Sequence, residues 1–234
     1  MATFVLVHGA WSGAYGFRHV RRLLQHRGHD VFTPSLTGIG ERRHLTSPLV
    51  DLTTHVSDVV NQALYEDLWD VVLVGFSYGG CVVTGAVDHI SSRIRHLVYL
   101  DAFVPHDGES ILSMTGQFDA RRMALEELWL VPPPQRSFDD PAEAAFMMAR
   151  RTPQPRACFA EAVALARPIE EYPFERTYIR ATADSPTAPF AEVFDAAAER
   201  ARRSPAWHHR EIHTNHMVAS NEPEKLAAML LEMM

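Results

Sequence analysis

The stretch Val71-Val72-Leu73-Val74-Gly75-Phe76-Ser77-Tyr78-Gly79-Gly80 decides how the rest of the chain is read. Four successive apolar residues suit a strand buried on both faces, as in a parallel sheet covered by helices. A serine follows between two glycines, in Gly75-Phe76-Ser77-Tyr78-Gly79, and a helical pattern begins at Gly79. Serine on a sharp strand-to-helix turn sits in strained backbone, and small residues two before and two after it let strand and helix approach closely. The same turn places Ser77 at a helix N-terminus, where free amides and the helix dipole favour developing negative charge.

Outward from this turn, short β-rich runs alternate with helical patterns, which predicts an α/β fold with a mostly parallel central sheet and helices on both faces. The expected strands are Thr3 to His8, Asp30 to Pro34, Val71 to Gly75, Arg95 to Asp101, Arg176 to Thr182 and Trp207 to Ile212. Helices are expected over Gly16 to Arg27, Leu52 to Asp67, Gly79 to Ile90, Pro189 to Arg203 and Glu222 to Met234. The alternation breaks between about Pro105 and Pro173, where helical patterns run without a convincing strand and prolines gather at 132–134, 153 and 155. We read residues 105–173 as a helical cap inserted into a single domain spanning 1–234.

Composition narrows the function classes. The chain has 234 residues, 47% hydrophobic and 22% charged, with a formal net charge of −7. Its basic side chains are arginines apart from Lys225 and form no stripe, which argues against nucleic acid and anionic membranes as partners. No apolar run approaches the roughly 20 residues that span a bilayer, and the first strand begins too early for a cleaved leader. A cytoplasmic protein is expected. Cys81 and Cys158 make neither a disulfide framework nor a metal quartet, and both read as reduced packing residues.

Serine at its ordinary pKa is a weak nucleophile, so Ser77 needs a histidine base and a group to orient it. Among the 13 histidines, His216 lies in the loop Thr214-Asn215-His216-Met217 between the last strand and the last helix, at the strands' C-terminal edge. His213, at the strand end, is the alternative. The cluster His208, His209, His213 and His216 matches no zinc spacing, so no metal is expected. For the orienting acid we expect Asp184, which follows the strand Arg176 to Thr182 and precedes His216 by 32 residues, giving the order Ser, Asp, His; Asp101, at the end of the preceding strand, competes with it but reads rather as a turn or cap aspartate. The backbone amides of Ala10, in Val7-His8-Gly9-Ala10-Trp11, and of Tyr78 are expected to form an oxyanion hole. His8 is expected to fix that loop by a hydrogen bond.

These residues resemble the α/β-hydrolases, and within them the small group of methyl esterases, salicylate-binding esterase and hydroxynitrile lyases. The resemblance runs through Phe4 to Ala10, Val72 to Gly80, Asp101-Ala102-Phe103-Val104-Pro105, Tyr178 to Asp184, His216-Met217 and Glu222-Pro223. It implies Ser77 as nucleophile, Asp184 as acid and His216 as base, in that chain order. The lyases of the group place threonine where this chain has Gly9 and lysine where it has Met217, so hydrolysis is favoured over cyanohydrin cleavage. Phe76 and Tyr78 flank the serine where members often carry His and Leu, which alters the pocket floor.

The expected activity is cofactor-free hydrolysis of a small, largely apolar ester, a methyl ester or a carbamate among them, through an acyl-enzyme on Ser77. Trp11, Tyr78, Phe118, Trp129 and Met217 are candidates for the pocket wall. Lyase or acyltransferase chemistry on the same residues, or ligand binding without catalysis, are the alternatives. The expected partner is a small molecule; members of the group often pair, so a homodimer stays open.

Overall fold

The chain is described here from a computed structural model that covers residues 1–116, 129–185 and 187–234. Six strands, β1 (Thr3–Val7), β2 (Asp30–Phe32), β3 (Val71–Phe76), β4 (Ile94–Leu100), β7 (Glu175–Ala181) and β8 (His208–Ile212), form one sheet in the order β2-β1-β3-β4-β7-β8. Every neighbouring pair is parallel. The expected strands are all present, each within two residues of its anticipated ends.

Period-two alternation in the inner strands builds two cores. Val5, Val7, Leu73, Leu97 and Tyr99 face one side, where they meet α2 (Leu52–Tyr65), α3 (Gly79–Ile90) and α7 (Ala191–Arg203) through Val59, Val83 and Phe194. Phe4, Leu6, Val72, Val74 and Val98 face the other, against Val20 and Leu24 of α1 (Arg18–His26) and Leu226 and Leu230 of α9 (Pro223–Leu231). Because both faces are covered, β3 carries no exposed residue, which is why it reads as an unbroken apolar run.

β1 pairs with β2 on one side and β3 on the other, and the chain then builds outward from β3. Strand order therefore reverses between β1 and β3, and a crevice opens at their C-terminal ends, the general ligand position of open parallel sheets.

Between β4 and β7 the chain makes the long excursion anticipated from the sequence, with short helices α4 (Ile111–Met114), α5 (Pro141–Met148) and α6 (Ala157–Ala160). It also contains what the sequence reading lacked: a two-stranded antiparallel ribbon, β5 (Leu130–Val131) with β6 (Gln154–Pro155). Two residues per strand, one of them a proline, leave no alternation to detect. The excursion is tied to α1 and to the chain after β2. Arg18 of α1 pairs with Glu143 of α5, Nη1 to Oε1 at 2.9 Å, and Gly40 N donates to Thr152 Oγ1 at 2.8 Å.

Candidate active site

Ser77 is the first residue after β3, with φ 54°, and α3 starts two residues later. A side chain on Gly75 would stand 2.6 Å from the Gly79 carbonyl oxygen, so strand and helix meet this closely only because the position is glycine. The Ser77 carbonyl accepts from Gly80 N and Phe103 N, while its own amide donates to the Leu100 carbonyl. The turn is thereby locked to the end of β4.

His216 lies in the turn between β8 and α8 (Val218–Asn221), which Asn215 braces by accepting from Met217 N and Asn221 Nδ2, each at 2.9 Å. Its imidazole is held between two phenyl rings, Phe194 stacked at 5.3 Å and Phe76 tilted at 4.7 Å. His216 Nε2 is 3.0 Å from Ser77 Oγ, and Nδ1 is 2.6 Å from Asp101 Oδ2. A carboxylate can only accept, so Nδ1 carries the proton and Nε2 is free to accept from the Ser77 hydroxyl.

The carboxylate on the histidine ring is thus that of Asp101, where both the residue pattern and the resemblance pointed to Asp184. Asp184 Oδ2 accepts instead from the His216 backbone amide at 2.8 Å, shaping the loop without touching the ring. Register accounts for the difference. Phe76 pairs with Leu100, so Ser77 and Asp101 leave adjacent strands at the same level, both with positive φ. Asp184 lies one strand further out, three residues beyond the end of β7.

Asp101 is fully buried, and both its oxygens are occupied. Oδ1 accepts from Arg180 Nη1 at 2.6 Å and from Ala181 N at 3.1 Å. Burial pushes its pKa up, but the hydrogen bond and charge of His216, the Arg180 guanidinium and the Ala181 amide outweigh this, and the net direction is down. It stays ionised at neutral pH. An arginine in the otherwise apolar run Tyr178-Ile179-Arg180-Ala181 demands a buried carboxylate, and that was the available signal for Asp101.

The other expected positions divide. Ala10, Trp11 and Met217 line the pocket that contains Ser77 and His216, together with Phe17, Phe76 and Met147. Trp11 has φ 59° and is pinned by the ribbon: its amide donates to Gln154 Oε1 and its Nε1 to the Val131 carbonyl, both at 2.9 Å. The amides of Ala10 and Tyr78 donate to no described residue. The Tyr78 side chain is not a pocket wall as expected; it is fully buried beneath the turn, hydrogen-bonded at 2.8 Å to His55 Nδ1. Trp129 is not among the pocket residues; its carbonyl accepts from Arg156 N. Phe118 lies outside the described residues.

His8 fixes the first loop, Nε2 accepting from Leu36 N and Nδ1 donating to the Gly9 carbonyl. His213 reaches Thr182, and His208 pairs with Glu175 on the exposed edge strand, so these histidines gather no site. Asp101, Asp184 and His216 bring potential ligand atoms within 4.8 Å of one another, and the hydrogen bonds above account for all three.

Residues 4–229 match the model of the alpha/beta hydrolase family. The chain belongs to that family. This hydrolase is similar, at 37% identity over 98% of both chains, to the carbendazim hydrolyzing esterase of Nocardioides sp. (strain SG-4G). A shorter match, 34% identity over 44% of this chain and 40% of the relative, is to an alpha-hydroxynitrile lyase of Arabidopsis thaliana. In structure it resembles an extracellular alpha/beta-hydrolase from a Paenibacillus species, described as homologous to tobacco salicylic acid binding protein 2, with a TM-score of 0.79 and 25% identity over 99% of this chain and 98% of that one. The methylesterase-like grouping read from the motifs holds, and the hydrolase is of the esterase type. None of its described helices is long and apolar enough to cross a membrane.

Proposed function

We propose that the chain is a cofactor-free serine carboxylesterase for small esters, methyl esters and carbamates among them, with Ser77, His216 and Asp101 as the catalytic residues. One observation carries the assignment: the continuous hydrogen-bonded series from Ser77 Oγ through His216 to a buried, ionised Asp101. Ser77 attacks the carbonyl as His216 Nε2 takes its proton. The amides of Ala10 and Tyr78 hold the oxyanion, a contribution of roughly 3 to 4 kcal/mol per donor in comparable sites. His216 then protonates the leaving group, and a water activated the same way releases the acid. Asp101 keeps the imidazole in the required tautomer and steadies the imidazolium.

Lyase chemistry is not favoured, since Gly9 and Met217 stand where the lyases of the group place threonine and lysine. Two free, buried cysteines support a cytoplasmic setting. The ties of 105–173 to Arg18 of α1 and to Gly40 support reading 1–234 as one domain with that segment as a cap. A homodimer rests on the resemblance alone, and sedimentation velocity reads it directly.

The test needs no knowledge of the substrate. A fluorophosphonate is incubated with the wild-type chain, Ser77→Ala and His216→Ala, and adducts are located by peptide mass mapping. A single adduct on Ser77, absent from both variants, is expected; labelling elsewhere, or none where a control esterase labels, removes the reading. Turnover of methyl esters, methyl carbamates and carbendazim then ranks the leaving groups.

A further inference from the structure

Two arginines of the excursion, Arg136 and Arg151, line the same pocket as Ser77 and His216. Each is half-buried, and neither forms an ion pair with a carboxylate among the described residues. Arg151 Nη1 donates to the Pro134 carbonyl at 2.6 Å and touches Met148 Sδ at 3.9 Å, with the guanidinium 5.9 Å from the Trp11 ring centre. Most of its planar fork is uncommitted. Arg136 has no hydrogen bond to a described residue. The acids whose charge it feels, Asp184 and Asp101, are engaged by His216 and Arg180.

Elsewhere, arginines shielded from solvent are engaged: Arg18 pairs with Glu143, Arg180 with Asp101 and Asp195, and Arg200 with Glu170, while buried Arg176, without a carboxylate partner among the described residues, donates to the Tyr172, Phe174 and Ala206 carbonyls. Arg136 and Arg151 have no ion-pair partner among the described residues, and burial followed by the charge of Arg136 pulls Arg151 down to about 10. Holding two like charges together with little solvent is unfavourable unless an anion arrives between them. Guanidinium forks match the two oxygens of a carboxylate in geometry as well as charge.

We propose that Arg136 and Arg151 form an anion-binding subsite of the catalytic pocket, so that the preferred substrates are esters carrying a second, free carboxylate. The inference rests on Ser77 as the nucleophile. Hydrolysis of such a half-ester consumes one water and releases an alcohol, a dicarboxylate and one proton; the arginines hold the spectator carboxylate and take no part in bond making. The remaining lining, Phe17, Phe76 and Met147, suits the short hydrocarbon between the two ends.

The experiment compares monomethyl glutarate with methyl 5-oxohexanoate, a neutral ester of the same shape, by pH-stat. At low ionic strength the charged ester should have the higher kcat/KM by about tenfold or more, through KM, with the ratio shrinking in 0.5 M salt. Arg136→Met and Arg151→Met should each lower that ratio several-fold, and Arg151→Lys should retain part of it. A wild-type ratio of one or less, or a ratio untouched by both methionine variants, overturns the proposal. Calorimetric titration of Ser77→Ala with the same two esters reads the subsite without chemistry: tighter binding of the charged ester supports it, and equal affinity overturns it. Failure of fluorophosphonate labelling would remove the hydrolase reading alone, because the titration still reports on the arginines.

Discussion

Asp101 Oδ2 lies 2.6 Å from His216 Nδ1, whereas Asp184 reaches the same residue only through its backbone amide. The two aspartates therefore have separable effects. Asp101→Asn leaves the shape of the site intact but permits the wrong imidazole tautomer, and kcat should fall by roughly 10³ to 10⁴. Asp184→Asn should cost about tenfold or less, since an amide oxygen still accepts from the His216 amide. Steady-state rates on 4-nitrophenyl acetate decide this, and the reverse ranking would return the acid role to Asp184.

Acid stability depends on a histidine outside the reaction. His55 Nε2 donates to the Thr37 carbonyl, which leaves Nδ1 of the neutral ring to accept from Tyr78 Oη. Burial, more than the opposing hydrogen bond to Thr37, lowers its pKa from 6.5 to about 4. A pKa lower in the folded state means the unfolded chain binds the extra proton more readily, so stability falls as pH drops from about 6.5 toward 4. The loss from His55 is on the order of 3 kcal/mol across that window. His96, lowered to about 4 chiefly by burial, adds in the same direction. Urea midpoints at pH 7.5 and 5.0 measure the slope, which should flatten in His55→Gln; an identical slope in that variant would remove His55 from the account.

The second glycine after the serine's tyrosine is a packing requirement. A side chain at Gly80 would overlap the Phe103 carbonyl oxygen, which is fixed backbone. Gly80→Ala should therefore destabilise by on the order of 3 kcal/mol, lowering Tm by roughly 6 to 12 °C. Gly28→Ala is the control for positive φ alone, since nothing lies within 4 Å of a side chain there. Calorimetric scans of the two variants should show the larger drop at position 80.

Gln154 couples the ribbon to the oxyanion loop. Its Oε1 is the acceptor for the Trp11 amide, one residue from Ala10. Gln154→Leu keeps the volume and strands that buried amide, a loss of about 1 to 3 kcal/mol in stability. Because the Ala10 amide moves with its neighbour, kcat should drop by about tenfold or more with a smaller change in KM. A destabilised variant with full kcat would show that the ribbon serves only the fold.

By itself the sequence determined the six strands, their parallel α/β arrangement, the strained serine turn and the histidine loop. Each is written in local pattern: the apolar run Val71–Val74, the glycines around Ser77, and a histidine placed just past the last strand. Asp101 and Asp184 carry the same local signature, an aspartate just beyond a strand, and no spacing along the chain separates them. Only the lateral order of the sheet does so, because it sets β4 beside β3 and aligns Leu100 with Phe76, which brings Asp101 level with Ser77. The ribbon's hold on Trp11 and the placement of Arg136 and Arg151 in the lining of one pocket are likewise tertiary, made by residues 15 to 143 positions apart whose local patterns say nothing of each other. Local propensity and hydrophobic period act over a few residues, whereas hydrogen-bond partners and charge neighbours are chosen by packing across the whole domain.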